Sequence, residues 1–289
     1  MNILVLNVGS SSIKYTLFKN TKILFSNLIE RIGEKKGKFK THSLALKEIK
    51  TQLTLKNANI DVIGHRVVHG GKIKKPSKIT NNIIKKLKKV AELAPLHEIP
   101  EIKVIELSHK LFPKQKQYAV FDTAFYHTLP NKAKIYGIPY KFFRAGIQKF
   151  GFHGLSHKYV SQKLKGKTIT CHLGSGCSIT AIKNKKAIDT SLGFTPLEGL
   201  VMGTRSGSLD PAIIPYLIKH QKLSLKQIDQ LLNRKSGLLG ISGISNDLRD
   251  LLKNKNPRAK LAVEIFIYKI TQYIGSYTAT LNGLDNLVF

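Results

Sequence analysis

The sequence has no apolar run near the ~20 residues that a bilayer-spanning helix needs, and even Leu261 to Tyr268 is interrupted by Glu264. A soluble protein without a membrane partner is the expectation. Cysteine is nearly absent. Cys171 and Cys177 flank a short Gly-containing turn and fit neither a disulfide framework nor a CxxC pair, so both read as reduced packing residues. The N-terminal Met-Asn-Ile-Leu-Val-Leu-Asn lacks a basic leader and a small-residue cleavage site, which points to the cytoplasm. Acidic residues are also scarce, 17 against 48 Lys and Arg, for a formal charge of +31. That balance raises nucleic acid or an anionic membrane as a partner. The lysines are spread along the chain, however, and the cluster Lys85 to Lys89 has the spacing of a solvated helix face. No aromatic RNA-binding signature, zinc finger or helix-turn-helix accompanies them. A basic nucleic-acid-binding protein is therefore the alternative of another class, and the expectation is no nucleic-acid partner. The field serves instead to draw in anionic substrates such as nucleotides.

What is present is 289 residues at 42% hydrophobic content, enough for a sizeable core and for two domains. Residues 2–8, 12–19 and 22–29 read as a β-meander, followed by a helix over 42–55 and a strand over 60–68. Helices over 81–93 and 101–111 and the strand Tyr118 to Phe121 continue an α/β pattern. Pro130 and the aromatic, Gly-containing segment 136–152 read as a connector, dividing the chain into domains 1–135 and 136–289. The second domain is expected to hold a helix near 156–164, strands near 168–173 and 178–183, and helices near 210–233, 245–253 and 257–281. A weak repeat joins the halves: Leu-Asn-Val-Gly-Ser-Ser-Ser at 6–12 is echoed by Cys-His-Leu-Gly-Ser-Gly-Cys at 171–177. Glycines let a backbone approach an anion, and turn N–H groups with Ser hydroxyls offer donors to phosphate oxygens. One such turn means little. Two at matching places suggest a phosphoryl group held between duplicated domains.

Phosphoryl transfer needs charge neutralisation, in-line positioning, a metal and an acceptor site. Lys14, just after the first turn, is either a phosphate ligand or a solvent-facing strand lysine. Arg66 lies at the end of an apolar strand and before Gly70-Gly71, where α/β proteins place ligands, and its guanidinium suits a carboxylate or phosphate. Asp122 also follows a strand, with a helix N-cap as the plainer reading. His153 precedes Gly154 at a helix start, whereas His157 on that helix reads as structural. The stretch from Asp189 to Gly207, dense in glycines and hydroxyls around Arg205, has the composition of an anion-handling loop.

These stretches resemble the acetate kinase family of the acetate and sugar kinase, Hsp70 and actin superfamily. The resemblance runs through Asn7 to Lys14, His65 to Gly71, Ala94 to His97, Phe121 to Phe125, Gly151 to Gly154, Thr195 to Gly199, Met202 to Gly207 and Ser236 to Gly243. It implies an α/β fold of duplicated actin-like (ribonuclease H-like) domains with a catalytic cleft between them. It further implies a homodimer and reversible transfer of the ATP γ-phosphoryl group to acetate, giving acetyl phosphate and ADP. Carried onto matching positions, it makes Asn7 the metal-side residue for Mg²⁺. Ser10, Ser12 and Lys14 would lie beside the nucleotide phosphates. Arg66 would bind the acid, and Asp122, His153 and Arg205 would be catalytic. Val68, Leu96, Phe152 and Pro196 would line a small pocket for the acid's methyl group, with propionate within reach because one methylene alters rate only ~10 to 200-fold. His172, Leu173, Gly174, Ser175 and Gly176 would meet the phosphates, and Asp247, Leu248 and Arg249 would flank the adenosine.

Departures from the family pattern fall at Ser175 in place of an Asn, at Glu98-Ile99 in place of Asn-Pro, at Ser208 in place of an Asp and at Leu155 in place of a Thr. The chain also stops at Leu-Asp-Asn-Leu-Val-Phe289, where the family continues into a Gly-rich adenosine loop and a later metal carboxylate. A C-terminally truncated, catalytically impaired member is thus the second expectation.

Overall fold

The structure is a computed structural model that describes residues 1–35 and 37–289, with the side chains of residues 95–97 also outside the description. The described residues divide into two compact units, Met1–Ala124 and Phe125–Phe289.

In the first unit, β1 (Asn2–Val8), β2 (Ile13–Lys19) and β3 (Lys22–Ile29) form the meander. There follow α1 (His42–Leu55), β4 (Val62–Val67), β5 (Ser77–Lys78), α2 (Asn81–Val90), α3 (Pro95–Leu111) and β6 (Lys116–Phe121). The sheet order is β3-β2-β1-β4-β6-β5, with β1, β4 and β6 mutually parallel. Alternation in β1 buries Leu4, Leu6 and Val8, which pack with Ile13, Tyr15 and Leu17 of β2 and with Ala45, Leu46, Ile49 and Leu53 of α1. The helical spacing of those last residues sets which face of α1 meets the sheet. Thr41 starts the helix by accepting from the Leu44 N–H. Each buried aliphatic side chain contributes about 1.5–3 kcal/mol by leaving water.

One helix begins earlier than its sequence suggests. Pro100 reads as a breaker, yet α3 runs from Pro95 through it. Pro95 at the first helical position suits the fixed φ of proline. Glu98 on this added turn and Glu101 just after it, both buried, accept backbone bonds that hold the turn in place. Glu98-Ile99 therefore belongs to a helix, not to a loop.

A 3-10 turn, Asp122–Thr128, follows β6. The second unit then runs α4 (Asn131–Lys134), α5 (Tyr140–Arg144), α6 (Gly154–Ser161), β7 (Lys167–Leu173), β8 (Cys177–Lys183) and β9 (Lys186–Thr190). It continues with α7 (Ile213–Gln221), α8 (Leu225–Arg234), α9 (Gly237–Ser242), α10 (Leu248–Lys253), α11 (Pro257–Leu281) and β10 (Asn286–Val288). Its sheet order, β9-β8-β7-β10, repeats β3-β2-β1-β4. In both units the first hairpin is antiparallel, and the next strand, reached through helices, pairs parallel on the other side. The repeat of Gly-Ser turns is thus a repeat of topology.

Several details differ from the sequence expectation in this unit. The span 210–233 is two helices, because Lys222 turns left-handed at the end of α7 and Ser224 with Gln227 forms a capping box for α8. Helices α4 and α5 within the expected connector, strand β9 and helix α9 are additions; all are short, and α9 is rich in glycine, so none has a clear period. The long helix is as expected, started by Asn256 and Pro257 and ended by left-handed Asn282, with Ala262, Phe266, Ile270 and Tyr277 buried.

Candidate active site

In the first unit the candidate groups gather where three parallel strands end. Asn7 is the penultimate residue of β1, Arg66 lies near the end of β4 and Asp122 directly follows β6. Arg66 Nη2 meets Asp122 Oδ2 at 2.6 Å, and its Nε lies 3.3 and 3.2 Å from the two carboxylate oxygens. Its Nη1 donates to Asn7 Oδ1 at 3.0 Å. Burial alone would weaken the Arg66 cation, but the charge and hydrogen bonds of Asp122, with help from Glu101, more than offset it and hold the guanidinium charged.

The neighbouring Gly-Ser turn is tied back on itself. Gly9 N–H donates to Ser12 O at 2.8 Å, His42 Nε2 donates to Gly9 O at 2.8 Å, and Ile32 N–H donates to Ser11 O at 2.9 Å. With those carbonyls engaged, Ser10 is left exposed, as is Lys14 on β2. After Arg66 the backbone of Val68 and His69 is gripped by buried acids: Val68 N–H donates to Glu101 Oε2 at 3.0 Å, and His69 N–H donates to Glu98 Oε1. Gly70 donates to Thr123 Oγ1 at 3.0 Å and must be glycine, since a Cβ would lie 2.7 Å from the Phe121 ring. Burial pushes the Glu98 carboxyl up to about 8 and the Glu101 carboxyl well above the usual range, where the charge of Glu98 raises it further. Their other oxygens, Glu98 Oε2 and Glu101 Oε1, are buried without a hydrogen-bond partner among the described residues, which disfavours the ionised form of each.

In the second unit the β7–β8 turn is closed by Gly174 N–H donating to Gly176 O at 3.2 Å and by the Cys177 thiol donating to Gly174 O at 3.0 Å. Leu173, Gly174 and Ser175 are exposed, and Ser175 O accepts from Gly203 N–H at 3.1 Å, which ties the turn to the loop that carries Arg205. A Cβ on Gly176 would lie 3.3 Å from Arg205 Nη1 and 3.4 Å from His153 Nε2, so these two side chains converge on that glycine. Arg205 Nη1 also donates to Pro196 O at 3.1 Å, and burial weakens its cation. Ser208 fastens the loop, its hydroxyl accepting from Gly199 N–H at 3.0 Å and its N–H donating to Gly199 O at 2.9 Å.

His153 has a left-handed backbone (φ 56°), a conformation that costs a side-chain-bearing residue energy and that clusters at functional sites. Its ring stacks on His172 at 4.3 Å, and its Nδ1 lies 2.9 Å from Ser178 Oγ. His172 Nδ1 is held by Ser156 Oγ at 3.0 Å. His157 is buried between Thr170 and Ser178, a structural place, as expected.

The remaining predicted residues are distributed as follows. Val68 is buried in the first unit; Phe152 is buried and Pro196 half-buried in the second; Leu96 has a side chain outside the described residues. Asp247 caps α10 by accepting from Arg249 N–H at 2.9 Å and pairs with the Arg249 side chain, whose hydrogen bonds hold the carboxyl down at about 2. Leu248 is the first residue of that helix. Ser178, Glu98 and Glu101 belong to the site although sequence reading did not select them. No local signal points to Ser178, because His153 is the left-handed residue before α6 and His157 lies within it.

The chemistry of the oxygen donors tests the metal expectation. Asn7 Oδ1 and both Asp122 oxygens already accept from Arg66, so a dication at this place would meet a guanidinium. Among the described residues no three His, Cys, Asp or Glu side chains are grouped to hold an ion. As arranged, the set does not fit a resident Mg²⁺.

The model of the acetokinase family matches residues 2–289. The chain belongs to that family. It is 44% identical to an acetate kinase of Halothermothrix orenii and 45% identical to one of Dictyoglomus thermophilum, in each case over 100% of this chain and 82% of the relative. Among solved structures, a propionate kinase from Francisella tularensis superposes with a TM-score of 0.94 at 40% identity, over 100% of this chain and 83% of that one. An acetate kinase from Porphyromonas gingivalis gives a TM-score of 0.87 at 40% identity, over 100% and 82%. The duplicated actin-like α/β fold of this family member is thereby established. Among its described residues no helix is long and apolar enough to cross a membrane.

Proposed function

We propose that this family member is an acetate kinase, transferring the γ-phosphoryl group of ATP to acetate and back. The observation that carries this reading is the convergence of Arg205 and His153 beside Gly176, at a Gly-Ser turn whose exposed residues offer donors to phosphate. In the forward direction an acetate oxygen attacks the γ-phosphorus, the bond to the bridging oxygen breaks in line, and ADP leaves with that electron pair. Acetate is ionised at neutral pH and needs no base. Asp122 therefore acts by holding Arg66, whose guanidinium takes the acid's carboxylate, while Arg205 and His153 stabilise charge on the transferred group. Val68, Phe152, Pro196 and Leu96 would favour acetate over longer acids, with propionate still within reach. Ser10, Ser12, Lys14 and His172 to Gly176 would hold the phosphates, and Asp247 to Arg249 would flank the adenosine. Mg²⁺ is expected with the nucleotide, held mainly by phosphate oxygens and water. A homodimer belongs to the same reading, and α11 leaves Leu261, Ile267 and Tyr268 exposed.

The test is ATP-dependent formation of acetyl phosphate from acetate, trapped as the hydroxamate. Arg205→Ala should lower kcat by about 10³-fold or more, the scale on which an arginine acts in phosphoryl transfer. Absence of product with the unaltered chain would overturn the reading.

A further inference from the structure

Behind His153 lies a chain of three hydrogen bonds that the reaction as described does not use. Thr170 Oγ1 lies 2.6 Å from His157 Nδ1, His157 Nε2 lies 2.7 Å from Ser178 Oγ, and Ser178 Oγ lies 2.9 Å from His153 Nδ1. Thr170, His157 and Ser178 are all buried, at 3%, 1% and 0% exposure. Each link joins one hydroxyl to one imidazole nitrogen, so each needs one hydrogen and one lone pair.

With both imidazoles neutral, two directions run consistently along the wire, and a third arrangement, in which both rings donate to Ser178, would idle the hydrogen of the fully buried Ser178 hydroxyl. In the first, Thr170 O–H donates to His157 Nδ1, His157 Nε2–H donates to Ser178 Oγ, and Ser178 O–H donates to His153 Nδ1. The proton of His153 must then sit on Nε2. In the second, His153 Nδ1–H donates to Ser178, Ser178 donates to His157 Nε2, and His157 Nδ1–H donates to Thr170. Each direction leaves one hydrogen outside the three links: the second leaves that of Thr170, which is buried, and the first leaves His153 Nε2–H, on a ring that is only half-buried and can offer it to solvent or ligand. A buried donor left idle is unfavourable, so the first direction wins.

We propose that Thr170, His157 and Ser178 are positioning residues that fix the imidazole of His153, in its neutral form, as the Nε2–H tautomer. Nε2 is the nitrogen near Gly176 and Arg205, so the wire aims a donor at the place where a phosphoryl oxygen gains charge. Burial lowers the His157 imidazole to about 3, with the charge of His172 acting in the same direction, so the middle of the wire stays neutral across the working range and transmits a hydrogen-bond direction, not a charge. The wire also accounts for the strained His153 backbone, which sets the ring between Ser178 on one side and the Gly-Ser turn on the other. The catalytic use of this tautomer rests on the kinase reading above; the tautomer itself does not.

The experiment is ¹⁵N–¹H correlation spectroscopy of the histidine-labelled full chain, with the His153 signals identified by their loss in His153→Gln. The expected result is the Nε2–H tautomer for both His153 and His157. Thr170→Val, which keeps the shape and removes the hydroxyl, should turn His153 into a mixture of tautomers. Ser178→Ala should do the same and lower kcat roughly 10 to 100-fold with KM for ATP and acetate nearly unchanged, the scale seen when a functional imidazole loses its orienting partner. Circular dichroism and Tm check that each variant folds, and Ser178→Thr, which restores the hydroxyl, should recover the tautomer. An Nδ1–H tautomer for His153 in the unaltered chain, or one unmoved by Thr170→Val and Ser178→Ala, would overturn the proposal. The tautomer pattern without acetyl phosphate formation would uphold the wire and reject the kinase reading instead.

Discussion

The two units hold their candidate groups by opposite means on the same sheet topology. In the first, Arg66 is fixed by the Asp122 carboxylate and the Val68–His69 backbone by the Glu98–Glu101 carboxyl pair. In the second, His153 is fixed by neutral hydroxyls and imidazoles, and Arg205 by a main-chain carbonyl. The difference teaches what each half is sensitive to. Carboxyls buried beside a guanidinium couple the first half to pH and to the integrity of each ion pair. Hydroxyl–imidazole links respond to which hydrogen sits where, and little to pH.

The largest effect that can break this comparison is loss of the Asp122 carboxylate. Asp122→Ala should abolish measurable acetyl phosphate formation and cost about 3 kcal/mol in urea unfolding, because the Arg66 cation, three-quarters buried, loses its partner. Asp122→Asn, still an acceptor, should cost less. A stability loss below about 1 kcal/mol for Asp122→Ala would mean that the ion pair is not what holds this half together.

A second test uses pH. The Glu98 carboxyl titrates at about 8 in the folded chain against 4.5 without the fold's influence, so over that window the unfolded chain has released a proton that the folded chain keeps. Stability must therefore fall as pH rises from about 4.5 to 8 and level off above. Glu98→Gln keeps the acceptor for His69 N–H, supplies a donor to Glu101 and removes the titration. Its Tm relative to the unaltered chain should rise steadily between pH 5 and pH 8, by the equivalent of roughly 1 to 3 kcal/mol. Parallel Tm curves for the two proteins would show that the acid pair does not couple this half to pH.

The smallest effect belongs to the second unit. Burial pushes the thiols of Cys171 and Cys177 up to about 11 and about 12, so only on the order of 0.1% of the more acidic thiol is thiolate at pH 8. Neither should react with iodoacetamide in the folded chain within hours, and both should react promptly in urea. Rapid native modification of Cys177, which lies near Arg205, would show that this half is not as neutral as its hydrogen bonds indicate.

Much of this was legible in the chain itself. The short apolar run of β1 and the helical stripes of α1 and α11 specify elements because burial dominates their energetics. The Gly-Ser turns marked both hairpin tips, since a tight approach to an anion leaves few residue choices. Less visible were β9, too short for a period, and the start of α3, where proline chemistry argues for a break that the buried Glu98 and Glu101 override. The burial of the two acids was not legible for a physical reason. A glutamate usually signals solvent, and only the coincidence of two backbone N–H groups and a second carboxyl makes its burial tolerable.

The sequence by itself determined which residue types stand at strand ends and turns, because local sterics and hydrophobic period act over a few residues. Only the tertiary structure decided which of them meet: Arg66 with Asp122 across 56 positions, and His153 with Ser178 across 25. Those pairings follow from strand order in a parallel sheet and from a hairpin packed on a helix, and neither leaves a trace in local spacing.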